Sequence, residues 1–332
     1  MKRKLIIRLC IAAMVLFVLI LGFTAYARIG YKVSAMAKIT ELYFRITNWR
    51  EVFETAENMQ KHLENRAIAN ELPVKAPRVR SILEQYTIQD FQVFRFGTSS
   101  GSTVQLRSTA VVYLHGGGYF NQPDYFHWKF VDKIALQTGL PVFMPIYPKA
   151  PNYTYTTGYD FLLAFYSDLL DKGFQNIIIA GDSAGGGLAL GFTQYLIANE
   201  ESPLPKKLIL ISPWLDISME NPEIADYAAL DLMLAVPGGI EAGKAWAGGT
   251  AVDYYLLSPI NGSFAGLPPI VMFSGTHDIL VPDIRKLYQM YWDNGVDIQY
   301  HEVHGMGHVF PLYPIPEARD ALRIIVTEIL SA

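Results

Sequence analysis

The sequence predicts an α/β protein with a mostly parallel central sheet flanked by helices, and three observations carry that prediction. Ile177 to Ile179 is a short β-branched apolar run leading into Gly181, Ser183 and Gly185, and Ala184 to Ile197 then alternates small and apolar residues at helical spacing. Ala110 to Gly118 (AVVYLHGGG) is a second apolar run, ending in a histidine and three glycines. Pro269 to Asp278 and His301 to Phe310 are late segments whose exits carry an aspartate and a histidine. Strand, helix, strand from Val111 onward, with turns at Pro141, Gly173 and Pro205, is the pattern of a parallel sheet covered on both faces.

Taken from the N-terminus, the first element is a membrane signal. Lys2, Arg3, Lys4 and Arg8 precede an uncharged apolar run of 19 residues, Leu9 to Ala27, close to the ~20 that a spanning helix needs. The expectation is a single-pass anchor over residues 1–28, its basic flank in the cytoplasm and the rest of the chain outside the cell. The alternative is a secreted protein, released at Ala25-Tyr26-Ala27, which has the small-x-small form of a signal-peptidase site. Cys10 is the lone cysteine, so no intramolecular disulfide forms, and it reads as a small apolar residue within the span.

Residues 29–75 read as N-terminal cap helices. Ala35, Ile39, Leu42, Ile46, Trp49 and Phe53 recur in steps of four and three, an amphipathic helix expected to pack on the core, because its polar face mixes both charge signs. Phe91 to Leu106 alternates around Gly97 to Gly101 and is expected to form an antiparallel start to the sheet.

The chemistry begins with GxSxG at Gly181, Ser183 and Gly185, a spacing that sets a serine on a sharp strand-to-helix turn with its hydroxyl exposed. A serine hydroxyl needs a base and an orienting acid. Asp278 stands at a strand exit and His308 on a glycine-flanked loop. Asp283 and His304 are the alternatives; Asp283 is placed as a cap of the helix starting near Ile284, and His304 as the strand's last residue. The glycines after His115 supply unencumbered N–H donors for an oxyanion. His301 and His304 are three apart on a predicted strand, which puts them on opposite faces and argues against a zinc site.

From Val111 to the C-terminus the chain resembles the hormone-sensitive-lipase-like family of α/β-hydrolases, the bacterial carboxylesterases and acetyl esterases. His115-Gly116-Gly117-Gly118, Tyr147 to Pro151 (YPKAP), Gly181 to Gly186 (GDSAGG), Ser212-Pro213-Trp214, Asp278 and Gly305-x-x-His308-x-Phe310 carry that resemblance in order. It implies an α/β-hydrolase fold, with Ser183 as nucleophile, Asp278 as orienting acid, His308 as base, and Gly117, Gly118 and Ala184 as oxyanion donors. Tyr119 and Trp214, beside those motifs, are the substrate-contact candidates. Asn152 stands where relatives carry an acidic residue, and Ile279 to Asp283 replace the usual proline and acidic follow-up to the aspartate. Both changes bear on substrate preference and leave the triad intact. The resemblance further implies a helical cap, with an insert over about residues 215–257, on a catalytic domain spanning 76–332.

The expected activity is hydrolysis of short-to-medium acyl esters, acetyl esters included, by a small-molecule esterase that uses no cofactor and no metal. An acyltransferase on the same triad and a catalytically silent binding protein are the alternatives. A net charge of −4 with 51% hydrophobic residues, and no basic stripe beyond the N-terminal flank, argues against a nucleic-acid partner. The roughly 300 residues after the anchor suffice for one large core.

Overall fold

The computed structural model describes residues 2–97, 108–201 and 203–332. The apolar N-terminal run is helical: α1 covers Lys2–Ala25 without a break, and Leu9 and Met14 to Leu21 are exposed all round it. It is long and apolar enough to cross a bilayer. A π-helical turn, Tyr26–Gly30, follows. Within it Ala27 is fully buried, and its carbonyl accepts the N–H groups of Tyr31 and Val33.

Helix α2 (Ala35–Thr47) departs from the expected packing. Ser34 caps it, accepting the Ala37 N–H, and donates through its own N–H and hydroxyl to Glu317. The buried side chains are Ala37 and Phe44, whereas Ile39, Leu42 and Ile46 of the expected stripe are 46%, 54% and 74% exposed. The physical reason is a phase break. Asn48 takes a left-handed conformation (φ 48°) and ends the helix, so Trp49 and Phe53 belong to the next segment, which does pack. Phe53, in α3 (Glu51–Glu54), lies so close to Gly238 that a Cβ there would stand 2.3 Å from its Cα. Helix α4 (Ala56–Ala69) follows, and it packs with α3 against a helix of the later insert.

The sheet has eight strands: β1 (Ile82–Ile88), β2 (Phe91–Gly97), β3 (Thr109–Leu114), β4 (Val142–Pro145), β5 (Asn176–Asp182), β6 (Lys207–Ile211), β7 (Ile270–His277) and β8 (Ile298–Gly307). Their spatial order is β1-β2-β4-β3-β5-β6-β7-β8, parallel from β4 onward. Among the described residues the sheet has an antiparallel start that includes β2 and a strand before it. β1 pairs with β2 through a turn at Gln89 and Asp90, both at positive φ, while β2 pairs on its other edge with β4. Residues 98–107, on which the expected turn and second arm fell, lie outside the described residues.

Helices α5 (Tyr125–Thr138), α6 (Tyr155–Asp171), α7 (Ala184–Ala198), α10 (Val281–Asp293) and α11 (Pro316–Leu330) cover the sheet. Alternation along a fully buried strand feeds both faces: Ile177 and Ile179 join one core with Phe161 and Leu188, and Ile178 and Ala180 join the other with Trp128 and Ile325. Between β6 and β7 lies an insert with α8 (Ile224–Tyr227) and α9 (Val236–Ala247), the latter packed on α3 and α4. Asp283 does not cap α10. That helix starts two residues earlier, and the buried Asp283 carboxylate sits in its first turn, accepting from Asn221 Nδ2 at 2.7 Å.

Candidate active site

Ser183 sits at φ 51°, ψ −123°, a strained conformation that only a closely held turn maintains. The surrounding glycines permit that closeness. A Cβ on Gly181 would stand 2.4 Å from the Gly185 carbonyl oxygen, and one on Gly185 2.0 Å from that of Leu114. The turn is bonded on both sides: the Ser183 N–H donates to Ile211 O at 2.8 Å, and the Ser183 carbonyl accepts from Gly186, Gly187 and Trp214.

The parallel sheet gathers three side chains at one end. Ser183 Oγ lies 2.9 Å from His308 Nε2, and His308 Nδ1 lies 2.9 Å from Asp278 Oδ2. All three are buried. Burial alone would disfavour an imidazolium at His308, but the Asp278 carboxylate outweighs it and raises the ring's pKa above its ordinary value. A hydroxyl bonded to an imidazole that a buried carboxylate orients is the arrangement that makes serine nucleophilic. The alternatives from the sequence lie elsewhere: His304 is an exposed residue within β8, His301 stacks on Phe273, and Asp283 is bonded to Asn221.

Gly117 and Gly118 have φ of 110° and 63°, and a Cβ on them would meet Asn121 at 2.9 Å and the Phe120 ring at 2.5 Å. Both positions demand glycine. Among the described residues, the N–H groups of Gly117, Gly118 and Ala184 donate to no protein acceptor. Donors left open beside a nucleophile are what an oxyanion requires.

Three supports were not read from the sequence. Asp182, inside GDSAGG, accepts the Gly116 N–H (2.9 Å) and the Tyr113 hydroxyl (2.6 Å), tying the glycine loop to β5. His127 bridges Asp182 and Asp124. Burial opposes its charge, yet the two carboxylates push its pKa up to about 10. Ser212 Oγ accepts the N–H of Val309, which fixes the loop bearing His308. Their signals, an aspartate and a serine inside motifs and a histidine three after a capping Asp124, are individually commonplace.

Ser183 and His308 open onto a cavity of about 780 Å³. Trp214 lines it, with Trp49, Phe53, Met233 and Leu234. Tyr119 does not; its ring is buried, stacked on Trp246 at 4.7 Å and beside Trp214 at 5.6 Å. The expected contact with substrate is therefore corrected to a packing role behind the cavity wall, because the left-handed turn at Gly118 and Tyr119 sends the ring inward.

Residues 111–312 match the family model of the alpha/beta hydrolase fold. The chain belongs to the α/β-hydrolase family. A candidate esterase from Staphylococcus aureus, known as a crystal structure, superposes on this hydrolase with a TM-score of 0.79 at 34% identity, covering 85% of this chain and 95% of that one. A candidate acetyl-hydrolase of Mycobacterium tuberculosis is 31% identical over 65% of this chain and 70% of its own length. A triacylglycerol lipase of the same organism is 36% identical over 51% of this chain, which spans 35% of that protein's length. Esterases of the hormone-sensitive lipase family are among the solved structures that share the fold. This hydrolase is an ester-hydrolysing enzyme.

Proposed function

We propose that the protein is a serine carboxylesterase acting on short-to-medium acyl esters, acetyl esters included, through an acyl-enzyme on Ser183. The observation that carries this reading is the unbroken contact from Ser183 Oγ through His308 to Asp278, beside N–H donors that nothing else uses.

The steps follow from that geometry. As Ser183 Oγ attacks the ester carbonyl carbon, its proton passes to His308 Nε2. The imidazolium so formed is stabilised by Asp278, which stays ionised. The carbonyl oxygen becomes an oxyanion held by the N–H groups of Gly117, Gly118 and Ala184; removing one such donor typically costs about 10²–10³ in turnover. The C–O bond to the alcohol breaks, and His308 returns the proton to the departing oxygen. Water then attacks the acyl-serine, giving its proton to His308, and the acid leaves as Ser183 regains its hydrogen.

The same reading places α1 as a retained bilayer anchor. Its exposed apolar surface supports that, and so does Ala27, whose carbonyl organises the turn joining α1 to the folded body. Release of p-nitrophenol from acetyl, butyryl, octanoyl and palmitoyl esters by the full chain tests the assignment. Turnover that falls steeply beyond the short chains, and depends on Ser183, is expected. A folded protein inactive on every ester would oppose it.

A further inference from the structure

The cavity reached from Ser183 has two unlike walls. One is mainly apolar, formed by Trp49, Val52 and Phe53 with Met219, Met233 and Leu234 of the insert between β6 and β7. The other is a face of α4, which presents Asn58, Lys61, His62, Asn65 and Arg66. These stand at i, i+3, i+4, i+7 and i+8, a single helical stripe. The carboxylates of that helix, Glu57 and Glu64, fall outside the stripe. Lys61 and Asn65 are exposed and Asn58, His62 and Arg66 partly buried, and the whole stripe lines the cavity that holds the nucleophile.

Its cations have no carboxylate partner among the described residues: neither Lys61 nor Arg66 makes an ion pair. Arg66 Nε donates to His62 Nε2 at 3.0 Å, which positions the guanidinium and leaves its two terminal nitrogens with no hydrogen bond. His62 Nε2 also lies 3.1 Å from the side chain of Asn121, in the glycine loop. Burial lowers the pKa of His62, so the ring accepts from Arg66 in its neutral form. Three carboxylates do line the cavity, but Asp124 and Asp182 are taken up by His127, and Glu51 is bonded by Asn48.

We propose that the α4 wall is a subsite for an oxyanionic group, a carboxylate or a phosphate, carried by the ester at a position remote from its scissile bond. The two terminal nitrogens of Arg66 match a pair of anionic oxygens, and Lys61, on the same cavity wall, adds a second positive charge. The facing apolar wall takes the hydrocarbon part of the same molecule. The preferred substrates are then amphiphilic esters with one acidic end. The proposal rests on the esterase reading, which supplies the scissile bond at Ser183.

Two pairs of esters test it with the full chain. The p-nitrophenyl monoester of adipic acid is compared with p-nitrophenyl hexanoate, which carries the charge on the acyl side; 4-acetoxybenzoate is compared with its methyl ester, which carries it on the alcohol side. In one pair the wild type is expected to favour the anionic member in kcat/KM, and Arg66→Gln to lower that anionic-to-neutral ratio by about tenfold, the size of one charge-assisted contact. Arg66→Lys should restore part of the preference. Benzoate and phenyl phosphate as competitive inhibitors then tell carboxylate from phosphate, the preferred one losing about tenfold in affinity on Arg66→Gln. Ratios and inhibition unchanged by Arg66→Gln would overturn the subsite while turnover of the neutral esters upholds the esterase reading. Loss of all four turnovers in the wild type would instead sink that reading itself.

Discussion

The carboxylate of Asp231, from the insert between β6 and β7, accepts the N–H of Ile279, the residue that follows Asp278, at 2.9 Å. It also accepts from Met233 and Leu234, so one fully buried side chain ties the insert to the loop that carries the triad acid. Burial and the charge of Asp278 raise the Asp231 pKa to about 6. The insert is thus tied to the loop bearing Asp278 through a hydrogen bond.

Removing that carboxylate should damage both stability and activity. Asp231→Ala leaves the buried N–H of Ile279 and the partly buried N–H groups of Met233 and Leu234 without that acceptor, and unfolding in urea should show a loss of about 2–3 kcal/mol. Asp231→Asn keeps one acceptor oxygen and should lose clearly less. Equal stability of Asp231→Ala and wild type would contradict the tie.

The pH dependence of turnover follows from His308. As the base it must be neutral, and Asp278 raises its pKa. The acidic limb of kcat/KM for a short ester should therefore lie above pH 6.5, the ordinary histidine value. The charge of Asp231 raises His308 as well, so Asp231→Asn should move that limb to lower pH. A limb below pH 6 in the wild type would contradict the assignment.

His127 predicts a stability effect of definite sign. Its pKa, 6.5 when unperturbed, is raised to about 10 in the folded chain. Its contribution is complete below about pH 6.5 and is lost as pH climbs through about 10. Lys149, buried without a carboxylate partner among the described residues and lowered to about 7, acts in the opposite direction, so the difference from His127→Gln is the useful quantity. The Tm advantage of wild type over His127→Gln should be largest near pH 6 and vanish above pH 10. A difference that grew toward alkaline pH would refute the bridge to Asp124 and Asp182.

The exposed apolar side of α2 makes a prediction about the membrane. Met36, Ile39, Tyr43 and Ile46 share one face, follow α1 directly, and stand apart from the buried Ala37 and Phe44. With Cys10→Ser as background, a polarity-sensitive fluorophore on Ile46→Cys should shift to the blue when the full chain is reconstituted into phosphatidylcholine–phosphatidylglycerol vesicles. The same label on Glu64→Cys, an exposed position of α4, should stay in water. Aqueous emission from position 46 would detach α2 from the bilayer surface.

The candidate site was legible because its motifs answer to local constraints. Gly181 and Gly185 are imposed by backbone oxygens that an added Cβ would meet at 2.0–2.4 Å, and Asp278 and His308 by the exits of adjacent strands. Those constraints leave a mark at fixed spacing. The α2 stripe misled because periodicity shows that a helix has an apolar side without showing what covers it, and because Asn48 silently resets the phase. The hairpin at Gln89-Asp90 went unread because that pair is a weaker turn signal than a run of serine and glycine. Asp231 and His127 stayed hidden for another reason: besides near neighbours in the chain, each bonds a partner 48 or more residues away, Ile279 and Asp182, and no local pattern records such a pairing.

The most direct test of the central claim is to catch the acyl group on its serine. Full-length protein mixed with p-nitrophenyl acetate, acid-quenched within the first turnover and digested, should yield the peptide containing Ser183 with an added acetyl group. The same treatment of Ser183→Ala should give no acetylated peptide and no enzymatic release of p-nitrophenol. Acetylation at another residue, or turnover retained by Ser183→Ala, would contradict the account.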